Sequence, residues 1–222
     1  AAKHGRAYVE REAWLNLAFF VGQQYSEWNA KVGGIQEIPR RKGDENAPRP
    51  VINKVMHFTR QVHHDAIQDE PSPDVLPATD DYQDITDAVV AKAWCEQQAG
   101  ETLTDYLAQV SRAALWSVIA GSGYKKWAIN PATKQLTITP PSFFEIYLDP
   151  AAKHFSQCRH IIHAQFMDVE QVYETYGVEV GNEEIESVDN GRSALLMGMG
   201  AAPMQRGVTV NELWMKPCRR HP

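Results

Sequence analysis

Three residues, Gly121, Ser122 and Gly123, divide the chain into two regimes of hydrophobic spacing. Before them apolar side chains recur every three or four residues, the period of a helix with one buried face. After them apolar and polar residues alternate in short runs, YKKWAIN, QLTIT, FFEIYL and RHIIHAQF, the period of strands with one covered face. A chain that changes period once in this way is read as α+β. Long N-terminal helices over residues 1–120 precede a small, mostly antiparallel sheet over residues 121–222.

Within the first part, Val9, Ala13, Trp14, Leu17, Phe20 and Val21 form one stripe between Arg6 and Val21. The segment GGIQEIPRRKGDENAPRP, rich in Gly, Pro and charge, reads as an exposed loop whose Arg40, Arg41 and Lys42 are candidates for contact with DNA or a neighbouring subunit. A helix is then expected to enter on Pro50 and carry a buried stripe of Val51, Val55, Phe58 and Val62. Pro71, Pro73 and Pro77 end it. Asp80 or Asp81 caps the next helix, with Ile85, Ala88, Val89 and Trp94 facing inward and Gly100 as its stop. A further helix from Thr102 turns Leu103, Tyr106, Leu107, Val110, Ala114, Ser117 and Val118 inward.

In the second part, Asn130-Pro131 and Asp149-Pro150 mark turns. MDVEQVYETYG returns to a short helix with Asp168 as cap, Gln171 completing a capping-box-like pair and Gly177 as stop. Residues 178–207, with many glycines and no period, read as a mobile loop.

The charge balance is acidic, 22 Lys plus Arg against 28 Asp plus Glu, a formal net charge of −6, so the summed field repels nucleic acid at long range. Cys95, Cys158 and Cys218 are odd in number and widely spaced, which suits neither a disulfide framework nor a thiolate zinc site. No apolar run approaches the ~20 residues of a membrane span, and the N-terminus lacks the apolar core of a signal peptide. The chain starts without Met and stops at CRRHP just after a strand-like run, so it is read as the front part of something longer.

Catalysis needs side chains that converge, and few do here. His57, His63 and His64 lie close in sequence, but a helical zinc site prefers histidines four apart, and no HExxH occurs. The His64-Asp65 doublet, with His57 and Asp87, allows the alternative of a metal-dependent phosphohydrolase; the simpler reading is a polar helix face. GSG follows a helix and precedes a strand, the reverse of a phosphate loop. GMGAAP lacks the strand and helix of a dinucleotide site, and no GxSxG occurs. Trp14 and Trp94 are read as core, not as base-stacking platforms. No catalytic residue, metal or cofactor is therefore expected.

The order of segments carries more than any one of them. WLNLAFFVGQQYSEW, RPVINKV, EPSPDVLPAT, DDYQDITDAVVAKAW, GSGYKKWAIN, FFEIYLDPAAKHFSQCRHIIHAQF, MDVEQVYETYG and VTVNELWMK together resemble the portal proteins of tailed double-stranded DNA phages, especially the short-tailed kind. Tyr25 departs from the Trp that often follows Gly-x-Gln in that family. The resemblance implies a ring-forming structural subunit, usually dodecameric, at one capsid vertex of the virion. Double-stranded DNA would pass through it, and capsid protein, terminase and tail or adaptor proteins would be its partners. This segment would be the outward-spreading wing, with stem and clip expected after Pro222. Another virion structural or adaptor protein is the remaining alternative.

Overall fold

The computed structural model describes residues 2–31, 33–43, 46–68, 74–99, 106–129, 136–181 and 207–217. In chain order these form α1 (Ala2–Phe20), β1 (Ser26–Asn29), β2 (Gly34–Glu37), α2 (Lys54–Ile67), α3 (Tyr82–Ala99), α4 (Tyr106–Ala120), β3 (Lys126–Ile129), β4 (Leu136–Thr139), β5 (Ile146–Leu148), a 3-10 turn, β6 (His160–Met167), α5 (Val169–Tyr176) and β7 (Val208–Met215). The fold is α+β, and every described strand pair is antiparallel. Two strand pairs, β1-β2 and β3-β4, accompany a three-stranded sheet ordered β5-β6-β7. The expected stop at Gly100, helix start at Thr102, turn at Asn130-Pro131 and most of the 178–207 loop lie outside the described residues.

The chain forms two compact units, residues 1–58 with 143–222, and residues 59–142. In the first, α1 buries Ala13, Trp14, Leu17 and Phe20 of the expected stripe and Ala18 besides, while Val9 is exposed and Val21 half-buried. Trp14 stacks on Phe144 at 3.8 Å between centroids, and Phe143 meets Phe144 edge-on. Arg6 lies over the rings of Phe143 and Tyr147 and donates to the Phe143 carbonyl. The expected strand FFEIYL is thus divided: Phe143 joins the core, half-buried Phe144 stacks on Trp14, and the strand is Ile146–Leu148.

The segment read as a loop begins with the second strand of a hairpin, β2, whose partner β1 lies just before it. β1 and β2 pair through Asn29↔Gly34, with the Asn29 side chain accepting from the Lys31 N–H (2.8 Å) and Gly33 at φ +68°. The strands are four residues long and only Trp28 and Ile35 are large and apolar, so alternation does not reveal them; Asn29 with Gly33-Gly34 is the turn signal that the residues offer.

Helix α2 starts at Lys54, not directly after Pro50. Asn53 caps it, accepting from the Met56 N–H (2.9 Å) while its amide donates to the Phe20 carbonyl (2.8 Å). The stripe of Val51, Val55, Phe58 and Val62 is exposed, not buried. The partly covered side is the one carrying Met56, Thr59, His63 and Ile67.

In the second unit α4 is central, in contact with α3 and β4. Its buried residues are Ala113, Trp116 and Ile119, and Ser117 is exposed, so its inward face is rotated from the expected one. α3 buries Ala88 as expected, but leaves Ile85, Val89 and Trp94 outside. Small side chains let α3 approach its neighbour, and the large ones are left to solvent. The GSG turn is the helix stop that the period change required: Gly121 is at φ +82° and its N–H reaches the Ser117 carbonyl. On α5, the Asp168 carboxylate accepts from the Glu170 N–H and Gly177 is left-handed, the cap and stop that the sequence implies. Among the described residues no helix is long and apolar enough to cross a membrane.

Candidate nucleic-acid and subunit interface

Arg40, Arg41 and Lys42 are all exposed on the segment that leaves β2. Arg40 donates to the Ala47 carbonyl, which folds the segment back on itself. Arg49 closes the other end: it donates to Glu37 (2.8 Å) and the Ile38 carbonyl (2.8 Å), and its guanidinium lies 5.0 Å from the Tyr25 ring centroid. Tyr25 in turn donates to the Pro50 carbonyl. Gln24, Tyr25, Gln36, Arg40 and Arg49 border an open groove of about 480 Å³. The Arg49 charge is largely answered by Glu37, so this surface offers its positive field through residues 40–42.

The acidic and histidine residues considered for metal chemistry do not converge. His57, His64, Asp65 and Asp87 are exposed; His57 meets the Phe58 ring edge-on, and Asp87 accepts from Gln83 one turn earlier (3.1 Å). His63 instead faces α4, its Nε2 lying 2.8 Å from the Ser111 carbonyl, which can only accept, so this nitrogen carries the proton. Among the described residues no three His, Cys, Asp or Glu are placed to hold a metal ion. The histidines occupy a polar helix side and one structural hydrogen bond.

Large apolar side chains are exposed on the two helices. On α2 they are Val55, Phe58 (61% exposed) and Val62; on α3 they include Val90 (63%) and Trp94 (52%). On each helix these residues recur at helical spacing, so the exposed apolar surface runs along one side.

Sequence reasoning missed a charged cluster that stitches the three-stranded sheet. His163, 5% exposed at the centre of β6, has Nδ1 3.4 Å from Glu212 of β7 and Nε2 3.7 Å from Glu145, next to β5. Glu212 also accepts from the Tyr176 hydroxyl (2.8 Å). The only signal is a histidine inside the apolar run HIIHAQFM. Burial, then the hydrogen bond and charge of Glu212, push the Tyr176 phenol up to about 12. Its neutral form is favoured by the fold, so that contribution is complete below the ordinary value of 10.0 and disappears as pH rises through about 12. Ultraviolet titration should show a phenol ionising near 12 that Tyr176→Phe removes; identical curves for wild type and Tyr176→Phe in that range would contradict it.

At the other end of β6, buried Asp149 accepts from the Ala151 N–H (3.0 Å) and the Arg159 N–H (3.3 Å), with His160 3.9 Å away. These hydrogen bonds first, then the neighbouring positive charges, hold its carboxyl below the usual 3.8. Its stabilisation is present above 3.8 and is lost as pH falls through the lower folded value. Asp149→Asn should therefore melt at a lower temperature than wild type at neutral pH, with the difference shrinking below pH 3.8; a constant difference would refute the assignment.

The same ordered segments that build these units carry a family signature, since a family model for phage P22-like portal proteins matches residues 7–220. The chain belongs to the phage P22-like portal protein family. The match runs through both units, so α1, the helices of the second unit and the β5-β6-β7 sheet are parts of one portal-protein region. A search of curated proteins returned no match. Portal proteins are structural components of the phage capsid, which accords with a surface of exposed helix faces.

Proposed function

We propose that this chain is a subunit of a dodecameric portal ring at one capsid vertex of a short-tailed phage, contributing its wing region. Double-stranded DNA enters through the ring during packaging and leaves by the same route at ejection. Terminase and the tail or adaptor proteins dock on it, and the ring is assembled in the host cytoplasm before the capsid is filled. The chain has no catalytic task in this reading.

The observation that carries it is the family match over residues 7–220. The acidic balance supports a conduit as well, because each phosphate neutralised by Lys or Arg adds a salt-dependent attraction that would make DNA stick. Arg40, Arg41 and Lys42 are the exception, a local contact for DNA or for the next subunit. Alanine at all three is expected to reduce packaged DNA or ring yield. Unchanged assembly and DNA content would remove them from the account.

Gold-labelled antibody against the chain tests the location. One labelled vertex per particle, at the tail, is expected; label spread over the capsid, or none on intact particles, would overturn the reading.

A further inference from the structure

We infer that the end of the three-stranded sheet where β6 begins and β7 stops is a docking site for the phosphates of double-stranded DNA, held by Lys153, Arg159 and Lys216. The identity of the polyanion rests on the portal reading above; the place of the site comes from the charges themselves.

Three separate pieces of chain bring the cations together. The terminal ladder pair is His160↔Met215, and the Lys216 N–H donates to the Arg159 carbonyl (3.0 Å), which extends the ladder by one more pair. Arg159 and Lys216 are therefore directly opposite each other, on one face of the sheet. The Lys216 ammonium donates to the Ser156 carbonyl, so the 3-10 turn Phe155–Gln157, with Lys153 just before it, lies against the end of β7. Hydrogen bonds and burial fix that turn. Gln157 accepts from the Lys153 N–H (3.3 Å), Cys158 is buried, and the buried Asp149 carboxylate accepts from the Ala151 and Arg159 N–H groups. All three cations are exposed.

Like charges set directly opposite across two strands repel and cost stability. The two stretches that build this end, residues 146–161 and 213–217, hold one carboxylate, Asp149, whose oxygens are already engaged by backbone N–H groups. Among the described residues neither the Lys153 nor the Arg159 side chain forms an ion pair or hydrogen bond. An anion from outside offsets the repulsion. Long cations on an open strand end read a repeating charge and not a sequence. In the portal reading that repeating anion is the phosphodiester chain of the passing DNA. Three phosphate contacts on a chain of net charge −6 hold a duplex loosely enough to let it move. The site is thus a second local exception to the acidic balance, beside residues 40–42, and it is built on paired strands.

Protein expressed from its complete reading frame and a fluorescein-labelled duplex of mixed sequence provide the test, with anisotropy followed over a range of salt. Wild type should bind. Lys153→Gln with Arg159→Gln and Lys216→Gln should weaken binding about tenfold or more at low salt, and should reduce the slope of log affinity against log salt by about 2.7 for each copy that touches the duplex. Arg159→Lys keeps the charge and should bind within about twofold of wild type. Lys153→Gln alone serves if the triple variant does not fold, because that side chain holds nothing in place; its slope should fall by about 0.9 per copy.

Unchanged affinity and slope in the folded triple variant, or in Lys153→Gln, overturns the site. Polyglutamate that displaces the duplex at equal charge concentration overturns the phosphate assignment and marks a surface for an acidic protein. The portal reading fails separately: if gold label is absent from the tail vertex while the variants still lose duplex binding, that reading falls and the anion site stands.

Discussion

Trp14→Ala is expected to destabilise the protein by about 3–5 kcal/mol, the usual range for removing a buried tryptophan. Trp14 is 3% exposed between Ala13 and Leu17 on the inward side of α1, and its indole lies nearly parallel to the Phe144 ring at an interplanar angle of 14°. Removing the indole deletes the apolar area it buries, leaves a cavity that the surrounding helix cannot fill, and strips Phe144 of its stacking partner. Since a whole domain is stable by about 5–15 kcal/mol, the loss is a large share of the total. Urea denaturation measures it. Trp94→Ala is the control: that side chain is half exposed on α3, and in the monomer its removal should shift stability by no more than about 0.5 kcal/mol. Equal costs at the two positions would mean that α1 is not the centre of its unit.

Gly123→Ala should be the most damaging single methyl group in the second unit. A Cβ at Gly123 would lie 1.9 Å from the Ala113 carbonyl oxygen and 2.8 Å from its carbon. Those atoms belong to the backbone of α4, so no side chain can swing aside to make room. The chain leaving the helix must move, and with it the approach to β3; overpacking of this kind typically costs about 1–3 kcal/mol and sometimes more. Gly121 gives the comparison. It has a positive φ of +82°, and a methyl group there would meet nothing within 4 Å, so Gly121→Ala costs backbone strain alone. That strain is about 1–2 kcal/mol. Thermal melts of the two variants should rank Gly123→Ala as the less stable, and the reverse order would place the close approach in error.

Two glycines two residues apart thus do different things, and only one is legible in the sequence. A change from helical to alternating period marks a stop, and the stop is Gly121; that Gly123 touches the helix it has just left depends on a tertiary path that no local pattern encodes. The same distinction runs through the molecule. Caps and stops with local chemistry, Asp168 and Gly177 on α5, stand where their residue types place them. The α1 stripe from Ala13 to Phe20 is buried as its spacing requires. The α2 stripe has an equally regular spacing and is exposed. Periodicity identifies an apolar side of a helix but does not say whether the chain itself or another molecule covers it. In α3 the large residues Ile85, Val89 and Trp94 point sequence reasoning to the wrong side, because the packed side uses Ala88, whose small volume permits close approach. The His163 cluster is hidden for a different reason: its partners Glu145 and Glu212 are distant in sequence and meet only through strand pairing, Ile146↔His163↔Glu212. The basic triplet Arg40 to Lys42 is visible as charge, and the hairpin that presents it is not.

Electron cryomicroscopy of the assembled protein, expressed from its complete reading frame, tests the central claim most directly. The account predicts closed rings of this chain. A protein that stays monomeric at every concentration would contradict it.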